Sequence, residues 1–341
     1  MRVSSSSVLP LLLSFALPAS SSQEGQRPLR TNAYPYLRTP PLLGFGTWNL
    51  DSSIATEAVK HALDTGYRHI DCAYAYRNEE LVGKGISQGL KSADLWREDI
   101  WVTSKLWNTH HDPSLVPVAL DNTLKDLGLD YLDLYHMHWP VSSPPSTPNT
   151  TISYLSTWHA MEKLLQTGKV RYIGISNFSP AQLDNLLRHA VVPPAVHQME
   201  LHPYLQQRDW IAYHKMRGIH VTAYSPLGGT NPTYHKDMAK GESKDPVQLL
   251  RNPILTRIAE SKGCTPAQVA LAWGQERRTS VIPKSSHKAY IEENYASWKC
   301  ELGVEELDLL AGLGREEKRY NNPSESWGVE LYDGLEGVMR V

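Results

Sequence analysis

Long apolar runs, a surplus of either charge and usable cysteine spacing are all scarce in this 341-residue chain, and each scarcity removes a class of function. The 34 Lys+Arg against 36 Asp+Glu leave a net charge of -2, which offers no electrostatic footprint for nucleic acid or a polyanionic surface. The three cysteines, Cys72, Cys264 and Cys300, are odd in number and far apart, so neither a disulfide framework nor zinc spacing follows from them. The longest apolar stretch, 8–19, is too short to span a bilayer and carries Pro10 and Pro18. Nor does Gly-x-Gly-x-x-Gly follow any strand-like run. Gly44-Phe45-Gly46 lacks the third glycine, which disfavours a Rossmann cofactor fold. Only three Phe accompany ten Trp and 17 Tyr, an aromatic set that suits an apolar pocket with polar handles.

What is present is an alternation. Short apolar strands are expected at 42–46, 68–71, 100–105, 132–136, 172–176, 196–200, 220–224 and 280–283. Helical periodicity falls between or after them at 54–63, 79–90, 114–127, 158–166, 180–188, 209–216, 253–262, 266–275 and 291–298, with Gly or Pro near the stops. Eight strand–helix units call for a parallel sheet closed into an α/β (β/α)8 TIM barrel, a single domain of ordinary size for that fold. The expected layout is a signal peptide or disordered extension at 1–22, a Pro-rich entry at 23–41, the barrel at 42–314 and a tail at 315–341. A signal peptide would place the chain in the secretory pathway or outside the cell, a disordered extension in the cytoplasm. Asn149 heads a glycosylation acceptor that would be used only in the first case, whereas Asn177-Phe178-Ser179 reads as too buried. Two long interruptions, 141–153 and 228–250, have the length of lids or inserts.

In a closed barrel the site lies at the C-terminal ends of the strands. Those ends carry Asp71 with Tyr76 just beyond it, Lys105, His138 and the pair Ser176-Asn177. Alone, each has an ordinary reading as a cap, a half-buried ring or a solvated edge lysine; together they suggest one shared site. A Lys105 ammonium beside Tyr76 would favour the phenolate and lower the pKa of the phenol, and Asp71 would keep that lysine charged. His138 would offer a donor to a substrate oxygen. Such a set suits protonation of a carbonyl oxygen while a hydride reaches the carbon from a bound cofactor. His136 and His138 share one strand face and could begin a metal site, but the later strand ends supply Ser176, Gln198, Tyr224 and Lys284 rather than further ligands, so no metal is expected.

Six segments carry a closer likeness: Gly44-Phe45-Gly46-Thr47-Trp48, the run from His69 to Tyr76, Ser104-Lys105-Leu106-Trp107, the run from Leu134 to Pro140, Gly174-Ile175-Ser176-Asn177-Phe178, and Ile282-Pro283-Lys284-Ser285. In this order they resemble the aldo-keto reductase family, from about Leu42 to Trp298. The resemblance implies an NADPH-dependent reductase of aldehydes or ketones, with Tyr76 as proton donor, Asp71 and Lys105 tuning it, and His138 orienting the carbonyl. It further implies that Ser176, Asn177 and Gln198 bind the nicotinamide carboxamide and that Tyr224 stacks on its ring. Ser225 and Leu227 would lie along the pyrophosphate, Lys284 and Ser285 at the 2′-phosphate, and Glu293 and Asn294 at the adenine. Trp48, Trp107 and Trp139 would line the substrate pocket. Where many members carry an arginine, this chain has Tyr290, which cannot make a bidentate phosphate contact and weakens the preference for NADPH over NADH. The implied partner is a small carbonyl compound, with a monomer favoured. The alternative is a weakly active NADPH-binding or redox-sensing subunit, which absence of cofactor oxidation across a carbonyl panel would favour.

Overall fold

In the computed structural model, residues 38–142, 152–231, 233–234 and 249–335 are described. The strands are β1 (Phe45–Gly46), β2 (His69–Asp71), β3 (Trp101–Leu106), β4 (Leu132–Met137), β5 (Val170–Ser176), β6 (Val196–Glu200), β7 (His220–Tyr224) and β8 (Ser280–Val281). All pair in parallel in sequence order. A parallel bridge between Leu43 and Val281 joins the two outer strands, with Gly44 N donating to Val281 O at 2.8 Å and Val281 N to Leu42 O at 2.9 Å. Eight strands and this seam make a single (β/α)8 barrel. Because both faces of each strand are covered, the strands are buried along almost their whole length and read as apolar runs rather than as alternations.

The main helices are α1 (Ala55–Thr65), α2 (Glu79–Ser92), α3 (Val116–Leu127), α4 (Tyr154–Leu164), α5 (Pro180–His189), α6 (Arg208–Met216), α7 (Pro253–Lys262), α8 (Pro266–Glu276), α9 (Lys288–Tyr295), α10 (Val304–Ala311) and a last turn, α11 (Ser324–Trp327). Their starts follow local chemistry. Ser179 and Thr265 cap α5 and α8, accepting from Gln182 N and Gln268 N, while the glutamine side chains accept from the cap N–H groups, and Pro180 and Pro266 follow. No helix among the described residues is long and apolar enough to cross a membrane. The 8–19 segment and Asn149 lie outside the described residues, as does most of the two long interruptions.

One expectation fails. Cys264, in the turn between α7 and α8, and Cys300, just past α9, form a disulfide with Cα atoms 5.9 Å apart. The strand β8 and helix α9 carry the chain back across α8, so two cysteines 36 positions apart become neighbours. Cys72 is the remaining free, buried thiol.

Candidate functional site

The open C-terminal end of the barrel holds a cavity of about 1070 Å³. Lys105, on β3, is fully buried beneath the Asp71 and Tyr76 side chains that line the cavity floor, and its Nζ donates to Asp71 Oδ1 at 2.5 Å, to the Cys72 carbonyl at 2.9 Å and to the Tyr76 hydroxyl at 3.2 Å. Asp71 ends β2, so its carboxylate faces the neighbouring strand; its second oxygen accepts from Gln198 Nε2 on β6 at 2.7 Å. Tyr76 arrives on a single 3-10 turn, Tyr74–Tyr76, closed by Arg77 in the left-handed region at φ 55°. The Tyr76 and His138 rings meet edge-on, centroids 5.8 Å apart, at the cavity wall.

The electrostatics correct one sequence reading. Burial pushes the Tyr76 phenol up to about 12; Lys105 pulls it down but does not win, and Asp71 adds to the rise. Burial alone would strip the Lys105 ammonium of its proton, yet Asp71 and then Tyr76 outweigh it and lift its pKa above the ordinary value. His138 sits well below its usual range through burial and then the nearby Lys105 charge. At neutral pH the site therefore contains a protonated phenol, an ammonium and a neutral imidazole.

Beside these four groups, Ser176, Asn177, Gln198, Tyr224, Ser225, Leu227 and Lys284 all line the same cavity, as do Trp48, Trp107 and Trp139. Asn177 adopts φ 64°, its amide donating to the His138 carbonyl at 3.0 Å while its oxygen accepts from the Tyr224 hydroxyl at 2.7 Å. Ser285, Glu293 and Asn294 lie on the β8–α9 segment outside the cavity wall. There Glu293 already accepts from Thr265 Oγ1 at 2.6 Å, and its carbonyl from Gln268 Nε2 at 2.9 Å. Tyr290 is exposed and packs its ring against His287. The other histidine of the β4 pair, His136, faces the barrel interior against Gly174, where an added Cβ would come within 2.5 Å of its ring. Among the described residues no three His, Cys, Asp or Glu side chains gather as a metal site would require.

The tail from Arg315 and the loop at 228–250 are the segments expected to select the substrate, but the sequence singles out no residue within them. Trp327, on α11, crosses the mouth with its ring 5.0 Å from Trp139 and 6.2 Å from Trp107, and Asn321 and Pro323 complete that wall. Tyr234, from the loop after β7, packs on Trp48 at 5.5 Å and shares a hydrogen bond with Ser225. No periodic pattern marks these residues. The one hint is a tryptophan in an otherwise polar Ser324-Glu325-Ser326-Trp327 segment.

The aldo/keto reductase family model matches residues 42–315. The chain belongs to that family. It is 46% identical over 309 residues to an uncharacterized oxidoreductase of Schizosaccharomyces pombe, covering 87% of this chain and 91% of the relative. To aldo-keto reductase family 1 member A1 of Bos taurus it is 44% identical over 287 residues, 81% and 86% of the two chains. A crystal structure of a Bombyx mori aldo-keto reductase in complex with NADP superposes with a TM-score of 0.78 at 32% identity, covering 86% of this chain and 95% of that one. This aldo-keto reductase is thus an NAD(P)H-dependent oxidoreductase.

Proposed function

We propose that the protein reduces an aldehyde or ketone to the alcohol with NADPH, and that Tyr76 gives the carbonyl oxygen its proton. The observation that carries this reading is the Lys105 ammonium touching both the Asp71 carboxylate and the Tyr76 hydroxyl at the floor of an aromatic cavity. The polar groups around that floor fit a nicotinamide nucleotide. The Ser176 hydroxyl and the Asn177 and Gln198 amides match a carboxamide, the Tyr224 ring offers a stacking face, and the half-buried Lys284 ammonium suits a phosphate. The bound nicotinamide would supply the hydride. The chain's own residues do the rest. Neutral His138 and protonated Tyr76 hold the carbonyl oxygen between two donors, and Lys105, kept charged by Asp71, stabilises the phenolate left after proton transfer. Trp48, Trp107 and Trp139 exclude water and favour aromatic or aliphatic carbonyls over densely charged ones.

The substitution Tyr76→Phe tests it. Turnover should fall by at least roughly 10²–10⁴-fold, the usual worth of a positioned general acid, while NADPH still quenches intrinsic fluorescence. Undiminished turnover would remove Tyr76 from the mechanism.

The compartment is part of the same proposal. The Cys264–Cys300 disulfide supports an oxidising, secretory setting, in line with reading 8–19 as a signal-peptide core. Recovery of the chain from the medium with one free thiol is expected; a cytosolic chain with three free thiols would refute it.

A further inference from the structure

The reductase reading leaves one buried carboxylate without a task. Glu200 ends β6, two residues beyond Gln198, and is fully buried. It points away from the reacting groups towards the tail. Its Oε1 accepts from the Tyr320 N–H at 2.8 Å and from His202 Nε2 at 3.0 Å, and its Oε2 accepts from the Asn321 N–H at 2.9 Å. Two consecutive backbone amides of an irregular segment are thus bound by one side chain from the barrel wall. Burial opposes ionisation of Glu200, but His202 and the further groups around it, Arg319 and the Tyr320 amide among them, prevail and keep its pKa below the usual value.

The grip continues into the cavity. The Asn321 side chain donates to the Tyr224 hydroxyl at 3.3 Å, and the Tyr332 hydroxyl donates to the Asn321 carbonyl at 3.0 Å. The Arg319 guanidinium lies over the Tyr332 ring at 4.1 Å. Six residues past Asn321, Trp327 reaches Trp139 and Trp107. In a segment with so little regular structure, an ionised acceptor that holds two consecutive amides fixes the backbone where it passes the end of β6.

We propose that Glu200 is a positioning residue: its carboxylate latches residues 320–321 to the end of β6 and thereby sets Trp327 as the third wall of the substrate pocket. It touches neither the reacting atoms nor the carboxamide-binding groups. Its loss should therefore affect recognition of large substrates more than the chemical step. This inference rests on the reductase reading for its kinetic part only; the state of the tail can be measured without turnover.

The experiment compares the full chain with Glu200→Gln, using 4-nitrobenzaldehyde and propanal as substrates and limited trypsin digestion as the second readout. Glu200→Gln should raise KM for 4-nitrobenzaldehyde about tenfold with little change in kcat, leave propanal kinetics near those of the parent, and speed cleavage after Lys318 or Arg319 about tenfold or more. Trp327→Ala should reproduce the KM change without the cleavage change. Equal loss of kcat on both aldehydes, or a tail as resistant to trypsin as the parent's, would overturn the latch. If Glu200→Gln does not fold, Asn321→Pro removes one of the two amide donors, together with the side-chain bond to Tyr224, and leaves Glu200 in place; its tail should also be cut faster, and an unchanged rate counts against the proposal. A parent chain that turns over neither aldehyde while its tail shows the expected trypsin pattern would reject the reductase reading and keep the latch.

Discussion

For a single phenol, two large effects compete. Withdrawal from water penalises the phenolate of Tyr76 and the adjacent ammonium favours it; the net value, about 12, says that withdrawal is the larger. A proton donor needs its proton, and Tyr76 keeps it at any pH below that value. Because the acid form is lost only as pH rises through the raised pKa, kcat/KM for reduction at saturating NADPH should stay flat from about pH 6 to pH 9. His138 adds no acidic limb, since its pKa is held well below the usual histidine range. A pH–rate profile with a descending limb centred below about pH 9 would show that the phenol is less shielded than this geometry implies. The other residue-scale expectation concerns Tyr290. It stands exposed on α9, six residues past Lys284, and has no charge to offer a 2′-phosphate. Tyr290→Arg should tighten NADPH about tenfold in a fluorescence titration and leave NADH nearly unchanged. Equal tightening of both would mean that the arginine does not reach the 2′-phosphate.

Among whole elements, the disulfide makes the clearest prediction. It ties the turn before α8 to the end of α9, and α9 also docks through Glu293 on the Thr265 and Gln268 cap of α8. Closing a loop of 36 residues restricts the unfolded chain by about 3–4 kcal/mol in the chain-entropy picture. Replacing both Cys264 and Cys300 with Ser should lower the melting temperature by about 5–10 °C; a melt indistinguishable from the parent's would mean that the bond restricts nothing. The same corner shows where sequence reading stops. Strands β6 and β7 are legible to the residue because each is a short, largely buried run, Val-His-Gln-Met-Glu and His-Val-Thr-Ala-Tyr, preceded by a Pro or Gly turn. Helix α7 is equally legible because Asn252-Pro253 starts it and Gly263 ends it. Strands β1 and β8 shrink to two residues because the seam between them is made by single hydrogen bonds at bends, which leave no periodic trace. The cysteine pair was illegible for a related reason, since its proximity is produced by the wrap of β8 and α9 and by nothing local. Asp71, Tyr76, Lys105 and His138 were legible because strand ends converge in a barrel. Glu200 and Trp327 were not, because the first reads as one more strand-end acid and the second sits in a polar tail.

For the molecule as a whole, the barrel's histidines set a limit on acid stability. Burial first, and in most cases neighbouring charges next, hold His69 and His111 down to about 3 and His214 and His220 to about 4, with His136, His138 and His197 also well below the usual range. A folded chain that keeps these rings neutral binds fewer protons than the unfolded chain, whose histidines titrate near about 6.5. Their stabilising contribution is therefore complete above that pH and is lost progressively as pH falls towards the folded values. By pH 5 each of His69, His111, His214 and His220 costs roughly 2 kcal/mol, roughly 8 kcal/mol for the four, and His136, His138 and His197 act in the same direction, against a typical total stability of about 5–15 kcal/mol. Glu79 works in the opposite sense. Burial lifts it to about 7, despite hydrogen bonds from Ser104 and Thr123, so acidification favours the folded chain there and offsets between one and two of the rings. The balance still favours unfolding well above the pH at which carboxylates protonate. Circular dichroism and tryptophan fluorescence should record cooperative acid unfolding with a midpoint between about pH 4.5 and 6, moved lower by NADPH through mass action. Native signals persisting to pH 4 without cofactor would mean that the rings find proton acceptors or water inside the barrel and that its interior is wetter than these contacts imply.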